Sequence, residues 1–486
     1  MGIPAYFSYI IKNHMKVLNP LYKMRHIQYN NLYMDCNSII YDAVREIYKT
    51  DIDNSSSYPH ILALVCSKIQ AYIDQIQPIT TIYIAFDGVA PLAKMEQQRK
   101  RRFLNDYLEK NGCAEISGGI PTYLITPGTD FMDFLSKYVY AYKFTSSSGA
   151  KIIISSCDQK GEGEHKLFQH IRNHREEHLG QNTIIYGLDA DLLMLSIFHI
   201  EYTKLYVFRE TPEFAKSLNI ELENSAAYLL DIEQLCISIN KEINMPITTE
   251  SGATLISRIH DYAFLCFLLG NDFLPHIPVI NIRIDGIHVL IESYRQIMPV
   301  GKLVNIEKTE INWVQFNKII DWIEERKDEI MLRHQKIRAK QNNRFNLGIM
   351  KERREMEIEK KVEIITEEYK KMLEWVLVYY TLECVEWRKR YGGGVGKKES
   401  YTVMCSKNYI MPLSYKRSKW EEKKIKENWK YYKYEGEVDM SYRKYIWEAE
   451  LKMEEMPLEK LEEMDNYFKS LIPLEGSLDP NLGPDP

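Results

Sequence analysis

NTIIYGLDADLLML, residues 182–195, is the stretch from which the rest of the chain is best read. An apolar, β-branched run of strand length leads to two carboxylates, Asp189 and Asp191, one residue apart. Such a continuous apolar run is the mark of a strand buried on both faces of a parallel sheet. Two acids at its end repel each other and lose hydration, so a structural role is hard to supply and something positive is expected between them.

Working outward, the pattern recurs. NNLYMD (30–35), TIYIAFD (81–87), AKIIISS (150–156) and TKLYVF (203–208) also read as buried strands. Between them lie helix-period stretches such as HILALVCSKIQAYIDQI (60–76) and HKLFQHIRNHREEH (165–178). The alternation predicts an α/β fold with a mainly parallel central sheet flanked by helices. Asp35 and Asp87 close two of the other runs. Ligands bind beyond the carboxyl ends of strands in an open parallel sheet, so these four aspartates can converge.

Glu162 and Glu164 in GEGEHK, and Asp272 in FLCFLLGNDFLPHIP, bring the set to seven carboxylates. Any one of them alone would read as a surface acid or a helix cap. Together and ionised they would carry −7, and each uncompensated close pair would cost several kcal/mol at reduced dielectric. Two divalent ions would return +4 through an oxygen-only shell of the kind Mg²⁺ accepts, with no His or Cys required. Ions about 3.5–4 Å apart can activate a water and stabilise the leaving oxygen of a phosphodiester.

KMEQQRKRR (94–102) follows Asp87 closely and holds five basic residues against one acid. Lys94, Gln98, Arg101 and Arg102 stand at i, i+4, i+7 and i+8, one face of a helix, and suit a terminal phosphate better than an internal one.

At this point the chain resembles a known family. MGIPAYFSYI, NLYMDCNSIIYD, IAFDGVAPLAKMEQQRKRRF, ITPGTDFM, GEGEHK, YGLDADLLML and LCFLLGNDFLPHIP are similar, in order, to the motifs of the XRN family of 5′→3′ exoribonucleases over about residues 1–290. The resemblance implies a PIN/FEN-like nuclease core in which Asp35, Asp87, Glu162, Glu164, Asp189, Asp191 and Asp272 hold the metal and carry catalysis. It implies Mg²⁺ as cofactor, two ions, with Mn²⁺ able to substitute. Lys94, Gln98, Arg101 and Arg102 would bind the 5′-terminal monophosphate of single-stranded RNA. The activity implied is processive 5′→3′ release of mononucleotides by metal-activated water, with decapping factors as conceivable protein partners.

Three positions depart from the family pattern: Tyr41 stands where a base-stacking His is usual, Leu92 replaces an Arg, and Lys160 a Pro. Tyr41 can still stack but carries no proton charge near neutral pH. LEWVLVYYTLECVEWRKRYGGG resembles the start of the family's second region, making Trp387 the candidate for the other side of the base sandwich.

The expected domains are a nuclease domain over 1–300, a charged helical linker over 301–370, a reduced and mostly helical second region over 371–470, and a flexible tail over 471–486. The densely charged residues 306–372 read as one long solvated helix. KMLEWVLVYYTLECVEW (371–387) reads as a buried amphipathic helix. Fourteen basic against four acidic residues over 388–433, net +10, with interleaved Tyr and Trp, suit a nucleic-acid backbone groove. Residues 447–486 carry the opposite sign, net −8.

The whole chain has 486 residues, 45% hydrophobic and 27% charged, with net charge −5, an ordinary soluble globular composition. It shows no run of eighteen apolar residues and no signal peptide, so no membrane partner is expected. Eight cysteines, no two of them two or three residues apart, fit a reducing compartment, and cytoplasm is the expected location.

HREEH (174–178) matches an H-x-x-E-H zinc-protease pattern, but a solvated helix face explains it. Two rival functions stay open. A flap-type structure-specific 5′ DNA nuclease uses a similar acid array, yet lacks support from FLPHIPVINIRIDGIHVLI after Asp272, which has no G-x-G pair. A non-catalytic RNA-end-binding protein should have lost metal ligands, and all seven positions are acidic.

Overall fold

In the computed structural model, the described residues are 3–49, 57–91, 93–94, 97–98, 124–210, 227–243, 252–297, 302–334 and 358–384, less isolated positions at 4, 278–279 and 331. Seven strands form one sheet: β1 (Leu18–Pro20), β2 (Asn31–Asp35), β3 (Thr81–Ala85), β4 (Lys151–Ser155), β5 (Asn182–Tyr186), β6 (Lys204–Glu210) and β7 (Ala227–Asp231). Their order is β1-β7-β6-β5-β2-β3-β4. The five strands read from the sequence pair in parallel, and the two it did not reveal, β7 and β1, add an antiparallel edge. Pro20 at the outer edge cannot donate to a ladder, and there it need not.

The chain builds β2, β3 and β4 outward in one direction and then returns to lay β5 and β6 on the other side of β2. The crevice at the carboxyl ends of β2 and β5 is therefore a topological switch point. Side-chain alternation decides which face each strand end serves. Leu32, Met34, Ile82, Ile84 and Ile184 face one core, whereas Tyr33, Tyr83, Ala85 and Ile185 face the other. Asp35, one step past Met34, is thus turned toward the second face.

The first face is covered by α2 (Asn37–Lys49), α3 (Ser57–Ile76) and α4 (Asp130–Ala141), which supply Ile39, Val65 and Leu135 to its core, while α1 (Tyr6–Asn13) serves the second face. That second face also receives α5 (Gly163–Asn173), the single turn α6 (Arg175–His178), α7 (Asp191–Phe198) and α8 (Ile232–Ile243). Its layer extends through α9 (Gly252–Cys266), α10 (Gly286–Ile297), α11 (Trp313–Glu325) and α12 (Ile358–Thr381).

The charged stretch after residue 306 is not one solvated helix. A hairpin, β8 (Val304–Asn305) with β9 (Glu310–Ile311), precedes α11, which buries Phe316, Ile319 and Ile323. Charges dominate its composition, but the apolar residues recur at helical spacing and decide the packing. The second half of α12 joins the same core through Met372, Leu373, Val376 and Leu377. Among the described residues, the cysteines at 36, 66, 157, 236, 266 and 384 form no disulfide with one another, and no helix is long and apolar enough to cross a membrane.

Candidate active site

Asp35 ends β2 and Asp87 lies two residues past β3. Asn37, the first residue of α2, ties them: its amide reaches Asp35 Oδ1 at 3.5 Å, and its own Oδ1 accepts the Asp87 amide at 3.2 Å. Gly163 then packs against both acids. Its amide donates to Asp87 Oδ1 at 2.6 Å, and a Cβ there would stand only 2.5 Å from Asp35 Oδ1. Only a residue without a side chain lets the start of α5 come so close. The neighbours of Gly163 are Glu162 and Glu164, which are carried to the strand ends with it.

This approach is fixed from behind. The Gly88 amide donates to Gly161 O and the Gly161 amide to Val89 O, both at 2.8 Å. Buried Lys166 donates to Phe86 O and Ser156 O, each at 2.8 Å, pinning the strand end before Asp87. Burial pulls the Lys166 ammonium down to about 8.

Asp191 opens α7, and its amide donates to Asp189 Oδ1 at 3.1 Å. Arg209 of β6 holds the preceding turn by donating to the carbonyls of Leu188 and Asp189. Asp272 arrives on a turn rather than a strand. Gly270 there has φ +89, and Asn271 Oδ1 accepts the amides of Phe273 and Leu274 at 2.9 Å. Lys94 bridges this turn to α5, its Nζ lying 2.7 Å from both Glu162 Oε2 and Asp272 Oδ2.

Two hydroxyls from α12 complete the enclosure. Tyr379 donates to Glu162 Oε1 at 2.5 Å and Tyr380 donates to Asp191 Oδ1. One carboxylate oxygen each from Glu164, Asp189 and Asp191 lie within 4.8 Å of one another. Glu164 Oε2 is buried with no hydrogen-bond partner among the described residues.

The electrostatics are those of crowded, dehydrated acids. Burial, then the Asp87 charge, holds Asp35 well above the usual carboxylate range. Burial with Asp189 and Asp191 does the same to Glu164, and burial with Asp189 pushes Asp191 up to about 7. Lys94 feels burial in the opposite sense, yet Asp272 and Glu162 keep it firmly protonated, well above its ordinary value. Lys94 by itself offsets only part of the charge of seven acids. Buried carboxylate oxygens, one of them unpaired among the described residues, form the donor set of a hard divalent cation.

The structure thus brings all seven predicted acids to one place. Lys94 points inward as their counter-ion, and Gln98 is half-buried one turn further on. Tyr41 sits half-buried on α2. Arg101, Arg102 and Trp387 lie outside the described residues. HREEH is solvated at Arg175, Glu176 and Glu177, but His178 is buried, its Nε2 2.8 Å from the Tyr33 hydroxyl, because α6 turns back onto the sheet.

Lys166, Tyr379 and Tyr380 were not singled out from the sequence. A tyrosine pair inside the apolar run LEWVLVYY was a usable signal, since a buried hydroxyl needs a partner. Which partner it finds, 189 residues away for Tyr380, no local pattern tells.

Comparison with known proteins agrees with this geometry. Residues 1–211 match the family model described as XRN 5'-3' exonuclease N-terminus, and residues 255–366 match the Xrn1 helical domain. The chain is 30% identical over 354 residues to 5'-3' exoribonuclease 1 of Schizosaccharomyces pombe, covering 68% of this chain and 26% of that protein. It is 32% identical over 363 residues to the Saccharomyces cerevisiae protein of the same name, covering 68% and 23%. To 5'-3' exoribonuclease 2 of Arabidopsis thaliana it is 25% identical over 422 residues, covering 71% and 41%. The chain therefore spans well under half the length of these relatives. Among solved structures, the catalytic core of Rad2 in complex with DNA superposes with a TM-score of 0.36 at 15% identity over 71% of this chain and 82% of that one, too loosely to bear on function. Two matched models in family order, over a sheet edge that gathers the seven acids, place the chain in the XRN family.

Proposed function

We propose that the chain is a divalent-metal-dependent 5′→3′ exoribonuclease that degrades 5′-monophosphorylated RNA to mononucleotides. The observation that carries this reading is the set of seven carboxylates at the switch point, with Glu164 Oε2 left without a hydrogen-bond partner among the described residues. The relatives' printed names, 5'-3' exoribonuclease 1 and 2, support it.

Glu164, Asp189 and Asp191 would hold one ion, and Asp35, Asp87, Glu162 and Asp272 would complete the site for a second. Mg²⁺ is the natural occupant, and Mn²⁺ substitutes. When bound, such ions supply an activated water and offset the charge of the leaving oxygen. The protein's own part is positioning. Lys94 with Gln98, Arg101 and Arg102 grips the terminal phosphate, which sets the first internucleotide bond against the acids. Tyr41 and Trp387 sandwich the terminal base, and the two-charge phosphate favours a 5′-monophosphate over a capped or hydroxyl end. Retention of the shortened strand in this grip makes the reaction processive.

The test uses one RNA labelled at its 3′ end and bearing a 5′-monophosphate, 5′-hydroxyl or 5′-triphosphate, incubated with Mg²⁺ or with EDTA. Rapid Mg²⁺-dependent loss of the monophosphate RNA alone, absent in Asp189→Ala/Asp191→Ala, is expected. Internal cuts regardless of the 5′ end would instead indicate a structure-specific nuclease. Binding without cleavage would indicate an RNA-end-binding protein.

A further inference from the structure

We propose that Tyr379 and Tyr380 are positioning residues that orient Glu162 and Asp191 as cation ligands, making metal affinity depend on helix α12. The inference rests on the metal-centre reading above and extends it to residues beyond both matched family segments, which end at 211 and 366.

Neighbouring residues on a helix point about 100° apart, so an adjacent pair can reach two sides of one centre. Here one hydroxyl goes to Glu162 Oε1 and the next to Asp191 Oδ1. Both rings are wedged before they reach the acids. Tyr379 stacks on Trp375 at 4.8 Å and on the His165 ring at 3.8 Å, with Phe273 edge-on at 5.5 Å. Tyr380 packs against Phe267 at 4.8 Å. Both tyrosines are buried. Hydroxyls held this rigidly fix the rotation of the carboxylates they bind, setting the second oxygen of Asp191 toward the cation, while that of Glu162 is shared with Lys94.

The two contacts differ in redundancy. Glu162 is also held by Lys94 through its other oxygen, whereas Asp191, among the described residues, takes its side-chain donor from Tyr380. Partners of metal ligands set affinity by typically 10–100-fold. Tyr380 should therefore matter more than Tyr379.

The experiment is Mn²⁺ binding to the full chain, followed by the electron paramagnetic resonance of free Mn²⁺, for the wild type, Tyr379→Phe, Tyr380→Phe and, as control, Tyr294→Phe. The control removes a buried hydroxyl bonded to a carboxylate elsewhere, Asp261. Phe keeps the ring and its packing. Tyr380→Phe is expected to raise the Kd for Mn²⁺ about 10-fold or more, Tyr379→Phe less, and Tyr294→Phe not at all. RNA cleavage by Tyr380→Phe should recover at high Mn²⁺, with a shifted metal curve and a plateau near wild type, which general damage to the fold would not produce. Wild-type binding with Tyr380→Phe unchanged overturns this inference alone. Failure of the wild type to bind Mn²⁺ overturns the metal-centre reading and the inference together.

Discussion

Gly163 shows how much a single hydrogen can decide. With a Cβ 2.5 Å from Asp35 Oδ1, Gly163→Ala must push Asp35 or the start of α5 aside. A displacement near 1 Å at a catalytic centre costs on the order of 10²-fold in rate, so RNA cleavage under single-turnover conditions should fall by about that much while far-UV circular dichroism stays unchanged. Asp191 gives the opposite kind of prediction. Burial and Asp189 make its charge unfavourable without a cation. Asp191→Asn should therefore abolish cleavage yet raise stability in EDTA by about 1 kcal/mol or more, the worth of one pKa unit, as read by denaturant unfolding. Asp35, Asp87, Asp189, Asp191 and Asp272 were legible in the sequence because each ends or follows a recognisable apolar run, and Glu162 and Glu164 through the GEGEHK segment. Gly163 lies in the same segment, but nothing local reveals what its missing side chain would strike.

Among the elements, β8 is fastened to α9 by Asp261, whose Oδ1 accepts the amides of Leu303 and Val304 at 3.0 and 2.8 Å and whose Oδ2 accepts the Tyr294 hydroxyl at 2.6 Å. Asp261→Ala leaves buried donors unpaired and should cost about 3 kcal/mol, measured by urea unfolding. Burial raises the Asp261 carboxyl from 3.8 to about 6 despite these donors. Between those values the folded state holds a proton that the unfolded state has lost, so this contribution is full below pH 4 and is lost as pH rises through 6. The advantage of wild type over Asp261→Asn should accordingly shrink from pH 4 to 6, at most about 1.4 kcal/mol per pH unit. The element boundaries here escaped the sequence reading. Charge density hid the packed face of α11, and a two-residue strand such as β8 has no periodicity to detect.

Across the whole molecule, the parallel core was legible because strands buried on both faces must be apolar throughout, whereas β1, as LNP, carries no such mark. What the sequence could not show is that α12 folds back onto the α/β core and reaches its acids, since that depends on contacts between distant segments. A cation joining these elements stabilises the fold by linkage. At 100 times its Kd, Mg²⁺ should add about 2.7 kcal/mol to wild type and almost nothing to Asp189→Ala/Asp191→Ala, in thermal unfolding with and without EDTA. The central claim is that the acids at the switch point form a divalent-cation centre. Anomalous diffraction from crystals grown with Mn²⁺ tests it most directly. The account predicts a peak bounded by Glu164, Asp189 and Asp191; occupied Mn²⁺ elsewhere in the crystal, with none among these acids, would contradict it.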